Sequence, residues 1–497
     1  MKMYKKYGLL ALLLPMLILG ACDKNLPETF KTSDTMTMME YLEKESGNYS
    51  EFLAMLDKSG LYGILNATGT FTGFVPDNEA VTAYLSENGI SSVDALEKGQ
   101  LRELVGTHFL TGEYSTDLMT PGMLRDSTFA GGFVTVKFRE GGVNNLLINN
   151  RSTIKSRDTE CSNGTLHFLD KMLKPVSNSV FQEIEAMGTA TIFAQGLRET
   201  GLMEMLNKSI SEKGYPVNYT VLVETDAMLA EKGIGSLEEL IALRSEGGDI
   251  TDPANKFYQY MAYHCINGLY YSSEFTNKIY QTVGANMVSV DVDHGFRINP
   301  VYDEFGDFLS ANSFIQEKMD HQASNGVIHE LADMLPVVTP RPVVVRNDVL
   351  DVPEIRRLRG QDLSKVTFFT KNVERWDSEG QRDEGFYYGG NHCGLNLGSL
   401  HMTGYIGTFH FTTEPIVKGE YRLRMKVDSN GEDAFGSFNF YVDGKFAAFA
   451  DPRGNSGASN VDLGVYTFKE NGTHVISIKN VRPGRLTMGC VTFEPTN

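Results

Sequence analysis

Hydrophobic positions along the chain follow two different periods. Up to about residue 340, apolar residues recur at helical spacing, as in residues 52–56 and 101–109, between short apolar runs such as Phe71–Pro76. From about Val343 they alternate with polar residues, as at Tyr421, Leu423, Met425 and Val427, which predicts half-buried strands. The pattern therefore predicts α+β structure in the first two thirds of the chain and an all-β region in the last third.

Four segments of the first part recur later in the same order, which indicates an internal duplication. Residues 49–61 match 190–202, 71–81 match 219–229, 104–114 match 261–271, and 161–173 match 323–335. The distance between matched segments grows slowly, as insertions in surface loops produce. Two homologous domains of about 140–160 residues are expected.

Three motifs in the first copy, in order, are similar to those of fasciclin (FAS1) domains. They are Thr-Gly-Phe-Val-Pro-Asp-Asn-Glu-Ala-Val at 72–81, Thr-His-Phe-Leu-Thr-Gly at 107–112, and Ser-Asn-Gly-Thr-Leu-His-Phe-Leu-Asp-Lys-Met-Leu-Lys-Pro at 162–175. The second copy departs in the first of these motifs, where Glu224 replaces the Pro and Asp226 takes the place of the Asn. The resemblance implies an α+β fold and a role in adhesion or partner recognition rather than catalysis.

Several polar residues of the two copies are expected to serve the fold. His108 and His264 lie between apolar residues, which favours buried, hydrogen-bonded side chains that tie a helix to the turn of the first motif; His167 and His329 are the same case. Asn163-Gly164 and Asn325-Gly326 are typical hairpin-turn dipeptides, because both residue types tolerate positive φ.

The last third carries strong turn signals between short strands. Asp443-Gly444 and Asn471-Gly472 separate runs of alternating hydrophobic residues, and this spacing predicts a β-sandwich or jelly roll. Residues 419–423, 441–445 and 472–478 resemble the galactose-binding-like sandwiches of carbohydrate-binding modules. The resemblance implies a glycan-binding domain.

Sugar binding requires aromatic rings beside polar groups, and one stretch offers both. Trp376, the only tryptophan, is followed by Tyr387 and Tyr388, with Arg382 and Asn391 nearby. These five residues are candidate ligand-binding residues. The alternative is a buried tryptophan with core tyrosines, which serves only the fold.

The N-terminus has the form of an export signal. A basic start precedes the apolar stretch Leu9–Leu19, which ends in Leu19-Gly20-Ala21-Cys22. This tetrapeptide resembles a bacterial lipoprotein signal and implies acylation of Cys22, whereas the alternative is an ordinary secretory signal with a chance cysteine. The sequence style is similar to that of Bacteroidota lipoproteins, which implies an outer-membrane protein exposed at the cell surface.

Composition and motifs limit the chemistry of the protein. With 45 Lys+Arg against 63 Asp+Glu, the net charge of −18 makes nucleic acid an unlikely partner. No zinc-protease, serine-hydrolase or nucleotide-binding motif is present, so neither a metal nor a cofactor is expected. Asp291, Asp293 and His294 are close in sequence, but on a strand His294 would face away from the two aspartates. The cysteines show no disulfide framework, and Cys393 with Cys490 is the one pair worth testing.

Together these observations predict a multidomain protein. The expected segments are a signal peptide (1–21), a tether (22–35), two α+β fasciclin-like domains (36–176 and 177–338) and a galactose-binding-like, jelly-roll β-sandwich (339–497). The function hypothesis is a non-catalytic, lipid-anchored envelope protein that binds an extracellular protein or glycan. One alternative is an accessory glycan-binding lipoprotein of a polysaccharide-uptake system that acts through the sandwich, and another is an enzyme with an unrecognised site.

Overall fold

The structure is a computed structural model, and it describes most of the chain beyond the N-terminal segment. The described residues are 36–212, 214, 216–303, 308–348, 352–356, 367–368, 373, 375–379, 386–388, 400–405, 407–428, 437–451, 458–482 and 484–496. Cys22, Arg382, Asn391 and Cys393 lie outside them, so the predicted acylation site, two candidate ligand residues and one member of the tested cysteine pair have no described structure.

The chain divides into two compact units. Among the described residues, the first unit comprises 36–117 with 155–172, and the second comprises 118–154 with 173–496. The domain boundaries expected at residues 176 and 338 stay predictions.

The first copy begins with helices that bury one apolar face. They are α1 (Met38–Lys44), α2 (Ser46–Ser59), α3 (Tyr62–Leu65), α4 (Asn78–Glu87) and α5 (Lys98–Gly106). Thr37 and Glu40 form a capping box at α1, and the Asp77 side chain accepts from the Ala80 amide at the start of α4. The short apolar run before Asp77 therefore ends where a helix begins.

The strands of this copy are short. They are β1 (Phe71–Pro76), β2 (Phe109–Leu110), β3 (Gly122–Ser127), β4 (Phe133–Phe138), β5 (Leu146–Ile148), β6 (Ser152–Cys161) and β7 (Gly164–Leu169). In the first unit, β1 pairs in parallel with β7 from Phe71–Gly164 to Pro76–Leu169, and antiparallel with β2. In the second unit, β3, β4 and β5 form an antiparallel meander that continues into the start of β6.

The second copy repeats this plan within the second unit. Its helices are α6 (Val180–Met187), α7 (Thr191–Glu199), α8 (Leu202–Leu206), α9 (Asp226–Glu231), α10 (Leu237–Arg244) and α11 (Lys256–Tyr263). Its strands are β8 (Tyr219–Val223), β9 (Cys265–Asn267), β10 (Lys278–Gln281), β11 (Met287–Asp291), β12 (Arg297–Tyr302), β13 (Phe308–Ser313), β14 (His321–Ala323) and β15 (Gly326–Glu330). As in the first copy, the first strand pairs in parallel with the last, from Tyr219–Gly326 to Val223–Glu330.

The remaining chain forms an all-β region with one short helix. Its elements are β16 (Val345–Asp348), α12 (Pro353–Arg356), β17 (Thr367–Phe368), β18 (Trp376–Glu379), β19 (Phe386–Tyr388), β20 (Leu400–Tyr405), β21 (Thr408–Thr412), β22 (Gly419–Asp428), β23 (Phe438–Val442), β24 (Lys445–Ala450), β25 (Ala458–Phe468), β26 (Val475–Asn480) and β27 (Gly484–Pro495). One sheet has the order β17-β19-β20-β27-β22-β25 with β16 beside β27, and the other has the order β18-β21-β26-β23-β24.

The inner faces of these two sheets supply one hydrophobic core, in which Phe409, Phe440, Tyr421 and Phe493 are fully buried. Two α+β copies followed by a β-sandwich confirm the fold class predicted from the hydrophobic pattern. No helix among the described residues is long and apolar enough to cross a membrane.

Two of the cysteines are free thiols in apolar surroundings. Burial raises the pKa of Cys161 to about 11 and that of Cys265 to about 12, which keeps both thiols protonated and unreactive at neutral pH.

Candidate functional site

The two histidines of the first copy are held by backbone oxygens. The Nδ1 atom of His108 lies 2.6 Å from the carbonyl oxygen of Phe74 in the first motif. His167 Nε2 lies 2.8 Å from the Tyr114 carbonyl oxygen, and its Nδ1 accepts from the Asp158 amide at 3.3 Å. Burial lowers the pKa of His167, so its ring stays neutral with the proton on Nε2. Both side chains are fully buried, which is the environment of a structural histidine.

His329 in the second copy repeats the arrangement of His167. Its Nε2 lies 2.9 Å from the Tyr270 carbonyl oxygen, and its Nδ1 accepts from the Asp320 amide at 3.2 Å. Asp158 and Asp320 themselves have positive φ, 56° and 59°. The Asp158 carboxylate accepts hydrogen bonds from the amide and hydroxyl of Thr116, and that of Asp320 accepts from the amide and hydroxyl of Ser272. The duplication therefore extends to a hydrogen-bond network that sequence matching alone did not reveal.

His264 differs from His108, because a carboxylate takes over the link to the first motif. Its Nε2 lies 3.0 Å from Glu224 Oε1, and its Nδ1 lies 2.8 Å from the Tyr260 carbonyl oxygen. Glu224 also accepts from the Tyr260 hydroxyl and from the Leu335 amide. Both ring nitrogens of His264 therefore face acceptor oxygens.

Burial of Glu224 opposes its ionisation, but the charge of His264 and the hydrogen bonds from His264, Tyr260 and Leu335 outweigh it and hold the Glu224 pKa below its usual range. Sequence spacing had placed no carboxylate near His264, because Glu224 precedes it by 40 residues. Glu224 and His264 are both fully buried, so this pair has no access to a substrate.

The asparagine–glycine pairs form a different turn from the predicted one. The two-residue loops are Ser162-Asn163 and Ser324-Asn325, and neither asparagine has positive φ. Asn163 Nδ2 donates to the Leu65 and Ala67 carbonyl oxygens at 2.7 and 3.0 Å, and Asn325 Nδ2 donates to those of Leu206 and Lys208 at 2.8 and 2.7 Å. The asparagines therefore serve through their side chains rather than through a left-handed backbone.

The glycines that follow are needed because two strands approach closely. A Cβ atom on Gly164 would lie 1.9 Å from the Phe71 carbonyl oxygen, and one on Gly326 would lie 2.1 Å from that of Tyr219. These contacts lie where the first and last strands of each copy begin their parallel pairing.

Trp376 does not form an open aromatic platform. Its side chain is only 5% exposed, and its ring meets that of Phe409 edge-on at 5.8 Å in the sandwich core. Tyr387 and Tyr388 lie on β19, which belongs to the other sheet. Stacking on a sugar requires an exposed ring face, so the candidate role of Trp376 gives way to the buried-core alternative.

A small pocket beside Trp376 is lined by charged side chains. Its volume is about 20 Å³, and Arg375, Glu414 and Asp348 are among its lining residues. Arg375 Nη1 lies 2.6 Å from Glu414 Oε1. The space fits about one water molecule and is too small for a sugar ring.

The acidic cluster at Asp291 also differs from the strand geometry considered above. Strand β11 ends at Asp291, and His294 turns back so that its Nδ1 lies 2.8 Å from Asp291 Oδ2. Asp293 instead accepts from the Asn277 side chain at 2.5 Å. Within the part of the chain that the structure describes, no three potential ligands converge on a metal position.

The outer surface of the sheet β18-β21-β26-β23-β24, here called the outer face, brings aromatic and polar side chains together. Pairing registers across the five strands place them in two rows. The first row is Phe446, Tyr441, Ser477, His410 and Asp377, and the second is Phe449, Asn439, Lys479, Thr408 and Glu379. Phe446 and Phe449 are 58% and 54% exposed. The sequence predicted the hairpin formed by β23 and β24 around Asp443-Gly444. It did not predict the two rows, because their members come from five separate strands.

The first two thirds of the chain are similar to known proteins. A model of the fasciclin domain matches residues 47–175 and 188–337. The chain is 28% identical over 143 residues to Protein sll1483 of Synechocystis sp., covering 28% of this chain and 76% of that protein. It is 28% identical over 138 residues to human periostin, covering 28% of this chain and only 16% of periostin.

A search of solved structures gives matches to both parts of the chain. The FAS1 domain pair of the insect cell adhesion molecule fasciclin I matches 59% of this chain and 98% of its own, with 15% identity and a TM-score of 0.28. The CBM36-1 domain of a multidomain xylanase from the hindgut metagenome of Trinervitermes trinervoides matches 32% of this chain and 99% of its own, with 11% identity and a TM-score of 0.20. Because the fasciclin model matches two consecutive regions that make up over half of the chain, the protein belongs to the fasciclin domain family.

Proposed function

We propose that this protein is a lipid-anchored binding protein of the cell envelope that recognises an extracellular protein or glycan and performs no catalysis. The tandem pair of fasciclin domains, which are binding domains, carries this proposal. Four histidines support it, since each is fully buried and bonded to structural partners: His108, His167, His264 and His329. The overall charge of −18 favours a partner that is neither nucleic acid nor an anionic membrane surface.

The proposed anchor is an acylated Cys22 at the end of the export signal. Several acyl chains hold a protein firmly on a membrane, whereas one chain gives only marginal binding. We expect the wild-type chain to fractionate with outer membranes and to be degraded by protease added to intact cells. The variant Cys22→Ala should lose acyl labelling and leave the membrane fraction. Acyl labelling that persists in this variant would contradict the anchor.

The binding role is tested with the full-length chain in detergent, by screening a glycan array and an array of extracellular matrix and envelope proteins. Saturable binding on either array supports the proposal. Failure on both arrays, or turnover on a broad panel of hydrolase substrates, would contradict it.

The alternative role as an accessory glycan-binding lipoprotein of a polysaccharide-uptake system is favoured by one observation, the exposed aromatic side chains of the outer face. Growth on single polysaccharides separates this role from adhesion. Deletion of the gene should impair growth on the recognised polysaccharide if the protein serves uptake, and should leave growth unchanged if it serves adhesion.

A further inference from the structure

We propose that the outer face binds a neutral polysaccharide chain, an inference that rests on the proposed binding function and narrows it to one surface and one class of ligand.

The aromatic end of the outer face is open to solvent. Phe446 and Phe449 lie on β24, the edge strand of its sheet, and each is more than half exposed. Tyr441 on the neighbouring strand pairs with Phe446, and their rings meet edge-on at 5.8 Å. Burial in a core stabilises a protein because it removes apolar side chains from water, and Phe446 and Phe449 lack this benefit. Two exposed phenylalanines on one face therefore indicate a binding surface. The apolar faces of sugar rings stack on such rings.

Polar groups adjoin these rings and are already oriented. His410 Nδ1 lies 2.7 Å from Ser477 Oγ in the first row, and Asn439 Nδ2 donates to the Tyr441 hydroxyl at 3.3 Å. Ser477 is 7% exposed and forms part of the floor between the aromatic end and the acidic end. Hydroxyl, imidazole and amide groups both donate and accept hydrogen bonds, which matches the hydroxyl groups of a saccharide.

The charges of the outer face disfavour an anionic ligand. Asp377 and Glu379 are exposed at one end, and Lys479 in the second row is the single cationic side chain among the ten residues that form the rows. His410 Nε2 lies 3.9 Å from Glu379 Oε1. A uronate or sulfated chain would meet two carboxylates at the end where the aromatic rings are absent. A chain without charge avoids this repulsion.

The dimensions of the two rows suit a linear chain. Five strands spaced about 4.8 Å apart give rows about 20 Å long, and the two rows lie about 7 Å apart. A polysaccharide chain lying across the strands fits this narrow strip.

The test uses the full-length chain in a polyoxyethylene detergent, which contains no sugar. Affinity gels hold soluble xylan, galactomannan, mixed-linkage β-glucan or polygalacturonate, and retardation gives the affinity. The double variant Phe446→Ala/Phe449→Ala removes both exposed rings, whereas Phe446→Tyr keeps an aromatic ring at position 446 and leaves Phe449 unchanged. Val465→Ala and Val481→Ala are matched controls, since these valines are 50% and 55% exposed and lie outside the outer face. Emission from Trp376, the only tryptophan, reports whether each variant keeps the sandwich core.

We expect at least one neutral polysaccharide to retard the wild type, the double variant to lose about tenfold or more in affinity, and Phe446→Tyr and both control variants to bind as the wild type does. Undiminished glycan binding by the double variant, or stronger retardation by polygalacturonate than by any neutral chain, would overturn the inference and leave the binding function standing. Binding to a protein array with no polysaccharide retardation would do the same. Failure on polysaccharides and on both arrays would overturn the inference together with the proposed function.

Discussion

Glu224 Oε1 lies 3.0 Å from His264 Nε2, and both side chains are fully buried. In the first copy, the position equivalent to Glu224 is occupied by Pro76. The two copies thus make the same link between helix and first motif by different chemistry. The first uses the carbonyl oxygen of Phe74, and the second uses a carboxylate. An ionised buried pair costs desolvation free energy that hydrogen bonds from Tyr260 and Leu335 help to offset.

We predict that Glu224→Gln destabilises the second copy, because the variant leaves His264 without its charged partner. The free energy of unfolding should fall by about 3 kcal/mol. Hydrogen exchange of peptides from α11 and β8, followed by mass spectrometry, measures the loss. The exposed Glu231→Gln is the matched control and should leave protection unchanged.

The pH dependence gives a second readout for the same residue. Glu224 has a folded pKa below its ordinary value, so its contribution is present above the unfolded pKa of about 4.3 and is lost as the pH falls through the folded pKa. Glu224→Gln should lack this part of the acid-induced loss of protection. An identical acid profile in variant and wild type would contradict the ionised pair.

Gly164→Ala should destabilise the first copy severely, because its Cβ would lie 1.9 Å from the Phe71 carbonyl oxygen. Separating the parallel strands to relieve this contact should cost several kcal/mol, on the order of 3 kcal/mol. Thermal unfolding or proteolysis of the full-length chain measures the effect. Gly63→Ala is the control, since no atom lies within 4 Å of its Cβ position and its helix tolerates alanine. Equal stability of the two variants would refute the close approach.

Asn325→Asp should destabilise the second copy, because a carboxylate cannot donate to the carbonyl oxygens of Leu206 and Lys208. A loss of about 2 kcal/mol is expected for one buried and one partly buried carbonyl oxygen left unpaired. Asn207→Asp is the control, since Asn207 accepts from the Ser179 hydroxyl and an aspartate still accepts there. Comparable destabilisation by both substitutions would show that the donated hydrogen bonds contribute little.

Stability of the second copy should fall as the pH drops from 7 towards 5.5. Burial lowers the pKa of His329 against the opposing influence of Asp320, so the unfolded chain binds a proton near pH 6.5 that the folded chain does not. The contribution is therefore present above about pH 6.5 and is lost below it, by at most about 1.4 kcal/mol per pH unit. Hydrogen exchange of β15 peptides, corrected for intrinsic rates, should show this slope in the wild type. His329→Gln should be less stable at pH 7 and should lose the slope.

Patterns local in sequence predicted the fold well. The duplication, the helices with their caps and the alternating strands all depend on residues a few positions apart, as at Asp77 and Ala80. The tandem α+β domains and the sandwich follow from such signals. The internal matches also identified Asn163 and Asn325, although their role is side-chain bonding rather than left-handed backbone.

Features that depend on long-range contacts could not be read in this way. Glu224 meets His264 only when β8 pairs with β9. The outer face likewise collects residues from five strands between Asp377 and Lys479. The exposure of individual side chains could not be predicted either. The alternating pattern of a strand does not show that Trp376 is buried while Phe446 is exposed to solvent. An aromatic residue shows its role only when the sheet face that it occupies is known.

The parallel pairing of first and last strands has a consequence for biogenesis. Strand β1 begins at Phe71, but its parallel partner β7 begins only at Gly164. In the second copy, β8 begins at Tyr219 and its partner β15 begins at Gly326. Because the chain emerges with its N-terminus first, neither sheet closes until the final strand of its copy has emerged. Such distant strand pairing forms slowly. Each copy therefore passes through a stage with unpaired strand edges, and chaperone protection is most useful until the strands that begin at Gly164 and Gly326 have emerged.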